Sequence, residues 1–301
     1  MNEVSVVIPT FNEEIHIKRC IESLKKITKY IYILDSFSTD KTKQIVEELG
    51  VTVLDVAWEN SYAKKFNWGL NNIDFKTPWI MRMDADEYLT DELIDEINQN
   101  INTYSDEITG IYIKRRVYFM DKWIKHGGYY PTYLLRIWRS GMGICEEKLM
   151  DEHIKLSHGN TVTYNYDLID DNKQNLTFWT TKHNTYSIKE AADILNIMYK
   201  FSNDNKEIEP SFFGKQAQRK RWLKIRYASM PLFLRPILYF TWRYFFKLGF
   251  LDGKPGLIWH FLQGGWYRFL VDAKINEIYF KVGKDREKIL VFLKKEYGIE
   301  F

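Results

Sequence analysis

The stretch Val4-Ser5-Val6-Val7-Ile8-Pro9-Thr10-Phe11-Asn12-Glu13-Glu14 decides the fold. Its first five residues form a short run that is apolar except for Ser5, which is typical of a strand buried on both faces of a sheet. Asn12 can cap a helix, and the two glutamates favour the positive end of that helix. Apolar residues then recur at helical spacing from Ile17 to Ile27. The stretch therefore predicts a strand, a turn and a helix.

The same alternation continues along the first third of the chain. Strands are predicted at residues 30–34, 51–56 and 79–83, and helices at 39–50, 61–72 and 90–102. Strands that alternate with helices in this way indicate a mostly parallel, Rossmann-like sheet with helices on both faces. Two further strands, 108–120 and 133–139, flank a loop at 122–131, and the chain beyond residue 172 is predicted to be helical.

Polar clusters follow three of the predicted strands. They are residues 10–13, 35–40 and 84–86. Ligands of such sheets bind beyond the carboxyl ends of the strands, so the three clusters are expected to face one crevice. The chain has no GxGxxG or GxxxxGK[ST] motif, which argues against a dinucleotide fold or a P-loop.

The carboxylates of Asp84-Ala85-Asp86 are candidates for a metal site. Two carboxylates on a turn can hold Mg²⁺ or Mn²⁺, which keeps waters and bridges to substrate phosphates. The plain alternative is a solvated turn that caps a helix, since Asp-x-Asp is common by chance. The preceding buried strand and the two other polar strand ends favour the metal site.

Four segments together resemble glycosyltransferase family 2, the inverting transferases of the GT-A fold. They are Val6-Val7-Ile8-Pro9-Thr10-Phe11-Asn12-Glu13-Glu14, Asp35-Ser36-Phe37-Ser38-Thr39-Asp40-Lys41-Thr42, Ala63-Lys64-Lys65-Phe66-Asn67-Trp68-Gly69 and Asp84-Ala85-Asp86-Glu87. Their order and spacing agree with the family pattern over residues 4–87.

The resemblance implies a UDP-sugar donor, with uracil favoured over guanine, and Mn²⁺ or Mg²⁺ as cofactor. It implies that Asp86 and Asp84 bind the metal. The residues expected to contact the nucleotide sugar are Pro9, Thr10, Phe11, Glu13, Asp35, Ser36, Lys64, Asn67, Asp84 and Ala85.

A narrower likeness extends over most of the chain. Trp179-Thr180-Thr181-Lys182-His183-Asn184-Thr185-Tyr186, Glu190-Ala191 and Gly249-Phe250-Leu251-Asp252-Gly253-Lys254 resemble the branch that includes lipopolysaccharide-core glucosyltransferases. This likeness implies a glycan or lipid-linked acceptor. The segment 145–153 lies where family members carry an acidic catalytic motif.

An inverting transfer needs a carboxylate that accepts the proton of the acceptor hydroxyl. Asp151 and Glu152 are the candidates, and Asp151 is slightly favoured. The family usually has Glu-Asp where this chain has Asp-Glu-His, so the choice stays open, and a surface acidic pair is the alternative. His183 can complete the metal or diphosphate site, although a lone histidine is more often structural and His153 and His158 are rivals.

Basic and aromatic residues dominate residues 211–251, which contain no acidic residue. Cations interleaved with large aromatics favour an interfacial segment on an anionic membrane surface. The alternatives are an ordinary packed helix pair with a basic face and, less favoured, a nucleic-acid surface; no nucleic-acid partner is expected. The sequence has no run of 18 apolar residues and no signal-peptide pattern, and its two cysteines fit neither a disulfide framework nor a zinc site.

These observations predict a GT-A catalytic domain over residues 1–205, with a nucleotide-sugar half at 1–105 and an acceptor half at 106–205. A helical, membrane-associating region is predicted at 206–301. The predicted protein is a metal-dependent inverting glycosyltransferase, cytoplasmic and peripheral on the inner face of a bacterial membrane. The alternatives are a sugar-1-phosphate nucleotidyltransferase and a non-catalytic protein that binds sugar nucleotides or membranes.

Overall fold

A computed structural model of the protein describes residues 3–59, 61–147, 152–201, 211–214 and 216–301. The chain divides into two compact units. The first comprises Met1–Gln174 and Leu251–Gly256, and the second comprises Asn175–Phe250 and Leu257–Phe301. The predicted division of the chain at residue 205 into a catalytic domain and a C-terminal region stays a prediction.

The first unit is an α/β structure. Its strands are β1 Val4–Thr10, β2 Ile31–Asp35, β3 Thr52–Asp55, β4 Trp79–Arg82, β5 Glu87–Leu89, β6 Ile108–Phe119, β7 Lys122–Trp123, β8 Thr132–Arg139, β9 Gly143–Cys145, β10 Ile154–Leu156 and β11 Asn160–Asp171. Its helices are α1 Ile17–Leu24, α2 Thr42–Glu48, α3 Tyr62–Asn72 and α4 Asp91–Asn100.

Nine of the described strands form one sheet in the order β3-β2-β1-β4-β8-β6-β11-β5, with β7 paired to β6. The first four strands run parallel, and β6 and β11 are also parallel to each other. β8 runs antiparallel to both β4 and β6. Thr10 lies opposite Asp35 in the β1–β2 register, so the polar clusters after these two strands begin at the same edge of the sheet.

Apolar side chains cover both faces of the sheet, as the sequence predicts. Residues of α1, α2 and α4 pack with β1 and β4 in the larger core, which includes Ile21, Val46 and Ile97. Ala63 and Phe66 of α3 pack on the opposite face, beside Trp138. Every residue of β1 is buried, which explains why its sequence is mostly apolar, and the hydroxyl of Ser5 accepts a hydrogen bond from Thr77 at 2.8 Å.

The prediction that Asn12 caps the first helix is wrong. The helix begins five residues later, at Ile17. Asn12 has a left-handed backbone with φ 55°, and its side-chain oxygen accepts a hydrogen bond from the backbone N–H of Thr39 at 2.8 Å. The asparagine therefore joins the two loops at the strand ends, because an Asx side chain tolerates the left-handed region and bonds readily to backbone groups.

The second unit is helical. Its helices lie in the ranges α5 Leu176–Tyr199, α6 Gln216–Ala228, α7 Leu234–Thr241, α9 Tyr267–Val282 and α10 Arg286–Tyr297, and α8 spans Gly253–His260. Two π-helical turns, Trp242–Phe246 and Phe261–Trp266, and a 3₁₀ turn, Gly249–Asp252, interrupt them. Within the described part of the chain, every helix is too short or too polar to cross a membrane.

The close approach of β9 to Trp138 gives a test of this packing. A Cβ added to Gly143 would lie 2.5 Å from Cδ1 of the buried Trp138 ring. We therefore expect Gly143→Ala to lower the free energy of unfolding by about 1–3 kcal/mol, because the indole has no room to move. Circular dichroism during urea unfolding measures the change. Ile144→Val, at the exposed neighbouring position, should stay within about 0.5 kcal/mol of wild type. Equal stability of the two variants would contradict the packing described.

Candidate active site

A turn rich in carboxylates follows β4. One carboxylate oxygen of Asp84 accepts a hydrogen bond from the Tyr62 hydroxyl at 2.7 Å, and the other accepts one from Nη2 of Arg136 at 3.1 Å. The Nε of Arg82 lies 3.7 Å from the first oxygen. Three partners from α3, β8 and β4 therefore fix the orientation of Asp84 at the end of the strand.

Arg136 is shared between two carboxylates, because its Nη2 also pairs with the buried Glu87. Burial alone would raise the pKa of Asp84, but the guanidinium groups of Arg136 and Arg82 lower it well below its usual range. Burial raises the pKa of Glu87 to about 8 against the attraction of Arg136, and the Asp84 and Asp170 carboxylates add to this rise. The turn thus presents Asp84 as the firmly ionised carboxylate of the pair.

Asp86 is held on one side only. Its Oδ2 accepts a hydrogen bond from the Asn172 amide at 2.9 Å, and its Oδ1 has no hydrogen-bond partner among the residues that the structure describes. No group of three or more His, Cys, Asp or Glu side chains in those residues is arranged to hold a metal ion. Two carboxylates nevertheless fit Mg²⁺ or Mn²⁺, since such ions take their remaining ligands from phosphate oxygens and water.

The loops after β1 and β2 are bonded to each other through Asp35. This buried carboxylate accepts hydrogen bonds from the Thr10 hydroxyl at 2.8 Å and from the hydroxyl and backbone N–H of Ser38 at 2.6 and 2.7 Å. Ser36 donates its hydroxyl to the carbonyl of Val56 at 3.1 Å. Both predicted donor-binding side chains are therefore occupied in shaping the crevice, and their contact with a nucleotide stays a prediction.

Aromatic rings project from these two loops. Phe11 is 57% exposed and Phe37 is 59% exposed, whereas Pro9 is buried within β1. Phe37 has a left-handed backbone with φ 57°, a strained state for a bulky residue and one that sequence patterns do not reveal. Phe37 is the one apolar residue within a polar loop, and this pattern could have indicated an exposed ring at the site.

Glu13 is oriented by a buried histidine. Nδ1 of His16 lies 2.6 Å from the Glu13 carboxylate, and Nε2 of the same ring accepts the backbone N–H of Lys173 at 2.8 Å. This pattern assigns the ring proton to Nδ1, because the other nitrogen acts as an acceptor. The predicted contact of Glu13 with the donor gains a fixed geometry from His16, which the sequence analysis missed.

Helix α3 presents Lys65 to the strand ends, while Lys64 faces solvent. Lys64 is exposed and lies 3.6 Å from Glu59. Lys65 is buried and donates to the carbonyl of Thr10 at 2.7 Å. Burial lowers the pKa of Lys65 to about 8, against the opposing effect of Asp35 and Glu13. Lys64 and Lys65 both line a small cavity beside the end of β3, so the predicted contact of Lys64 with the donor stays a prediction.

Asn67 and Ala85, both predicted to contact the nucleotide sugar, are enclosed in the protein. Ala85 is buried in the larger core. The Asn67 amide donates to the carbonyl of Cys145 at 2.9 Å, and its oxygen accepts the backbone N–H of the same residue at 2.9 Å. Both side chains stay predicted donor contacts, and Asn67 in addition joins α3 to β9.

The two candidates for the catalytic base lie next to each other in the sequence, just before β10. Asp151 lies outside the described residues, whereas Glu152 is half-buried just before β10. Burial raises the pKa of the Cys145 thiol to about 12 against the attraction of Arg82, and the carboxylates of Glu152, Glu146 and Asp84 add to this rise. The Arg82 guanidinium lies 3.9 Å from the Cys145 sulfur and 3.7 Å from Asp84, and Cys145 pairs with Ile154 of β10, so the strand pair next to Glu152 lies beside the carboxylate turn.

His183 belongs to the second unit. Its Nδ1 lies 2.8 Å from the carbonyl of Trp179, its Nε2 lies 2.9 Å from the Gln263 amide, and burial lowers its pKa to about 4. Its role as a metal ligand stays a prediction and would require Gln263 to move. His153 forms an ion pair with Glu146 at 3.8 Å, and His158 contacts the hydroxyl of Ser157 at 3.1 Å.

These features define an α/β protein whose crevice is lined by carboxylates at the ends of parallel strands. The sequence model described as "Glycosyl transferase family 2" matches residues 5–160, about half of the chain. The chain belongs to this family, as the sequence motifs predict.

Several proteins are similar to parts of the chain. An uncharacterized glycosyltransferase of Rickettsia bellii is 40% identical over 95 residues, which cover 32% of this chain and 31% of the relative. The lipopolysaccharide core biosynthesis glycosyltransferase LpsC of Rhizobium meliloti is 32% identical over 153 residues, which cover 46% and 52% of the two chains. The chain thus spans about a third to a half of the length of these relatives.

One solved structure matches over most of both chains. It is that of S. aureus TarS 1-349 in complex with UDP, at 15% identity and a TM-score of 0.41, covering 93% of this chain and 92% of that chain. Such a distant likeness carries no assignment of donor or acceptor.

The shared guanidinium of Arg136 gives a test of the site. We expect Arg136→Met to destabilise the protein by about 1–3 kcal/mol near neutral pH, because the ionised, half-buried carboxylate of Asp84 loses its main counter-ion. The pKa of Asp84 in the folded state lies below the ordinary value of 3.8, so this stabilisation is fully present above pH 3.8 and is lost as the pH falls below that value. The deficit of the variant should therefore shrink on acidification from pH 4 towards pH 2.

Urea unfolding at pH 2 to 7 measures this deficit. Arg139→Met is the matched control, since Arg139 lies on the same strand but contacts the Trp79 ring, backbone carbonyls and the fully exposed carboxylate of Asp106. Two results would show that the carboxylates do not depend on Arg136. One is that Arg136→Met loses no more stability than the control, and the other is that its loss does not change with pH.

Proposed function

We propose that the protein is a metal-dependent inverting glycosyltransferase that moves a sugar from a UDP-sugar to a hydroxyl of a lipid-linked or lipopolysaccharide-type glycan. One observation carries the proposal. The Arg82 guanidinium lies 3.7 Å from the Asp84 carboxylate and 3.9 Å from the Cys145 sulfur, and Cys145 pairs with Ile154, two residues after Glu152, so the carboxylate turn lies close to the strand pair beside a base candidate. Family membership and the likeness to LpsC support glycosyl transfer and a glycan acceptor.

In this proposal the donor lies along the carboxyl ends of β1, β2 and β4. The exposed ring of Phe11 stacks on the base, and Glu13, oriented by His16, accepts hydrogen bonds from the nucleoside. Asp86 and Asp84 would hold Mg²⁺ or Mn²⁺, which neutralises the charge of the departing diphosphate when it is bound. Arg82 and Arg136 hold Asp84 ionised for this task.

Glu152 is the base in this proposal. The acceptor hydroxyl oxygen attacks C1 of the donor sugar from the side opposite the diphosphate, and its proton passes to the Glu152 carboxylate. The bond between C1 and the phosphate oxygen breaks, and UDP leaves with the bonding electron pair. The configuration at C1 is thereby inverted, through a transition state that resembles an oxocarbenium ion.

UDP release from UDP-glucose, UDP-galactose and UDP-N-acetylglucosamine with Mn²⁺ tests the catalytic proposal. We expect at least one donor to turn over and EDTA to abolish turnover. Asp86→Asn should weaken Mn²⁺-dependent binding of UDP, because a metal ligand is lost. Glu152→Gln should lower kcat by roughly 10²- to 10⁴-fold and leave UDP affinity unchanged, because the base acts only in the chemical step.

Glu147→Gln is the matched control for the base, since this exposed glutamate lies in the same loop. Its kcat should equal that of wild type. If Asp151→Asn abolishes turnover while Glu152→Gln is fully active, Asp151 is the base instead. If no donor turns over and UDP does not bind, the non-catalytic alternative replaces the proposed enzyme, and formation of a UDP-sugar from UTP and a sugar-1-phosphate would indicate the nucleotidyltransferase.

We also propose that the second unit binds an anionic membrane surface, on the inner face of a bacterial cytoplasmic membrane. Large apolar side chains of the turn that follows α7 are exposed; Phe246 is 68% exposed and stacks on Trp242 at 5.4 Å. Lys247 lies 5.5 Å above the Trp242 ring. Residues 211–251 contain nine lysines and arginines and no acidic residue. Arg235 is buried against Asp272 and Lys224 pairs with Asp193, and the other basic residues of the segment complement an anionic lipid surface.

Vesicle flotation tests the membrane proposal. Wild type should float with vesicles that contain phosphatidylglycerol and not with pure phosphatidylcholine vesicles, because the basic residues add about 1 kcal/mol each near an anionic surface. Trp242→Ser combined with Phe246→Ser should reduce the bound fraction at least tenfold. Phe280→Ser is the matched control, since this ring of α9 is 90% exposed but lies outside the basic segment. Equal binding by all three proteins would contradict the proposed surface.

A further inference from the structure

Asn67 holds the strand β9 by both ends of its amide. Its Nδ2 donates to the carbonyl of Cys145, and its Oδ1 accepts the N–H of Cys145, each at 2.9 Å. Both residues are buried, and 78 positions separate them in the sequence. Two hydrogen bonds to one residue fix both the position and the rotation of that backbone segment, as a neighbouring strand would.

The segment that Asn67 fixes is the base of the hairpin that carries Glu152. Cys145 lies opposite Ile154 in the β9–β10 register, two residues after Glu152. The backbone N–H of Glu146 donates to the carbonyl of His153 at 2.9 Å, which closes the hairpin at the next position. A displacement of Cys145 therefore moves His153 and Glu152 with it.

The helix that carries Asn67 also contacts the donor side of the crevice. Tyr62 donates its hydroxyl to Asp84, and Lys65 donates to the carbonyl of Thr10. One rigid helix, α3, is thus hydrogen bonded to the carboxylate turn, to the end of β1 and to the hairpin. Since the first and last of its contacts lie within six residues, the distance between the carboxylate turn and the hairpin is set by α3.

We infer that Asn67 is a positioning residue, which places Glu152 relative to the donor through Cys145, and we propose this role in place of the donor contact that the sequence resemblance implies. This inference rests on the proposed function, in which Glu152 is the base. It predicts that loss of the Asn67 amide lowers the rate of the chemical step and leaves donor binding intact, because a base misplaced by about 1 Å can cost roughly 100-fold in rate.

Asn67→Asp and Asn67→Ala test the inference in the full-length protein. The aspartate keeps the acceptor for the Cys145 N–H but cannot donate to its carbonyl. We expect each variant to lower kcat for UDP release about 10- to 100-fold, with KM for the UDP-sugar and the Kd of UDP within twofold of wild type. Thermal unfolding separates this effect from a loss of folded protein, since kcat is measured at a temperature at which each variant is folded.

A double-mutant cycle with Glu152→Gln shows whether Asn67 acts through Glu152. If it does, Asn67→Asp causes no further loss in the Glu152→Gln background, because there is no base left to misplace. Asn72→Ala is the matched control: Asn72 is an exposed asparagine of α3 whose amide donates to the carbonyl of Trp68 in its own helix and has no other partner among the described residues. It should be as active as wild type.

Failure of the positioning role and failure of the proposed function give different results in these experiments. If wild type depends on Glu152 but the two losses multiply, or if the Asn67 variants bind UDP more weakly, Asn67 is not a positioning residue for the base. An Asn67→Asp protein that is folded and fully active overturns the inference in the same way. If wild type releases no UDP, or Glu152→Gln is fully active, the proposed function fails and the positioning role fails with it.

Discussion

The pairing of Arg136 with Asp84 and Glu87 is the interaction on which the crevice depends. Two carboxylates on one short turn repel each other, and burial adds the cost of removing both from water. The positive charge of Arg136 offsets this repulsion. β8 runs antiparallel beside β4, with Ile137 opposite Met81, and so brings Arg136 to the end of that strand. The guanidinium is itself buried, which keeps its attraction unscreened by solvent.

Much of the parallel half of the sheet could be predicted from the sequence. β1, β2 and β4 are largely buried on both faces, so their sequences are mostly apolar, and the polar residues after them mark the strand ends. β5 and β11 could not be predicted in the same way. β5 has three residues, and β11 has no regular alternation of buried and exposed residues and contains a break in its register with β6 between Thr163 and Asp167. Its pairing with β5 places Asp170 opposite Glu87.

At the site, too, the sequence predicts the segments that take part but not the directions of their side chains. The sequence predicted which segments meet, because the carboxyl ends of parallel strands share an edge. It did not predict which side chains turn inwards. Adjacent lysines in α3 differ by about 100° around the helix axis, and that rotation decides that Lys65 is buried and Lys64 exposed. Nor did it predict Arg136, since its role depends on a strand pairing 52 residues distant from Asp84.

The contact between His126 and Asp252 affects how the chain can be divided. Asp252 is buried in the first unit, where it accepts hydrogen bonds from the backbone N–H of His126 at 3.0 Å and lies 2.6 Å from its ring. The short segment Leu251–Gly256 thus belongs to the first unit, although it lies far from the rest of that unit in the sequence. A protein that ends anywhere before residue 251 would lack this carboxylate. Deletion of the C-terminal third therefore removes a stabilising contact of the α/β unit together with the helices. Separating the activities of the two units by expression of fragments would therefore need a circularly permuted or internally spliced chain.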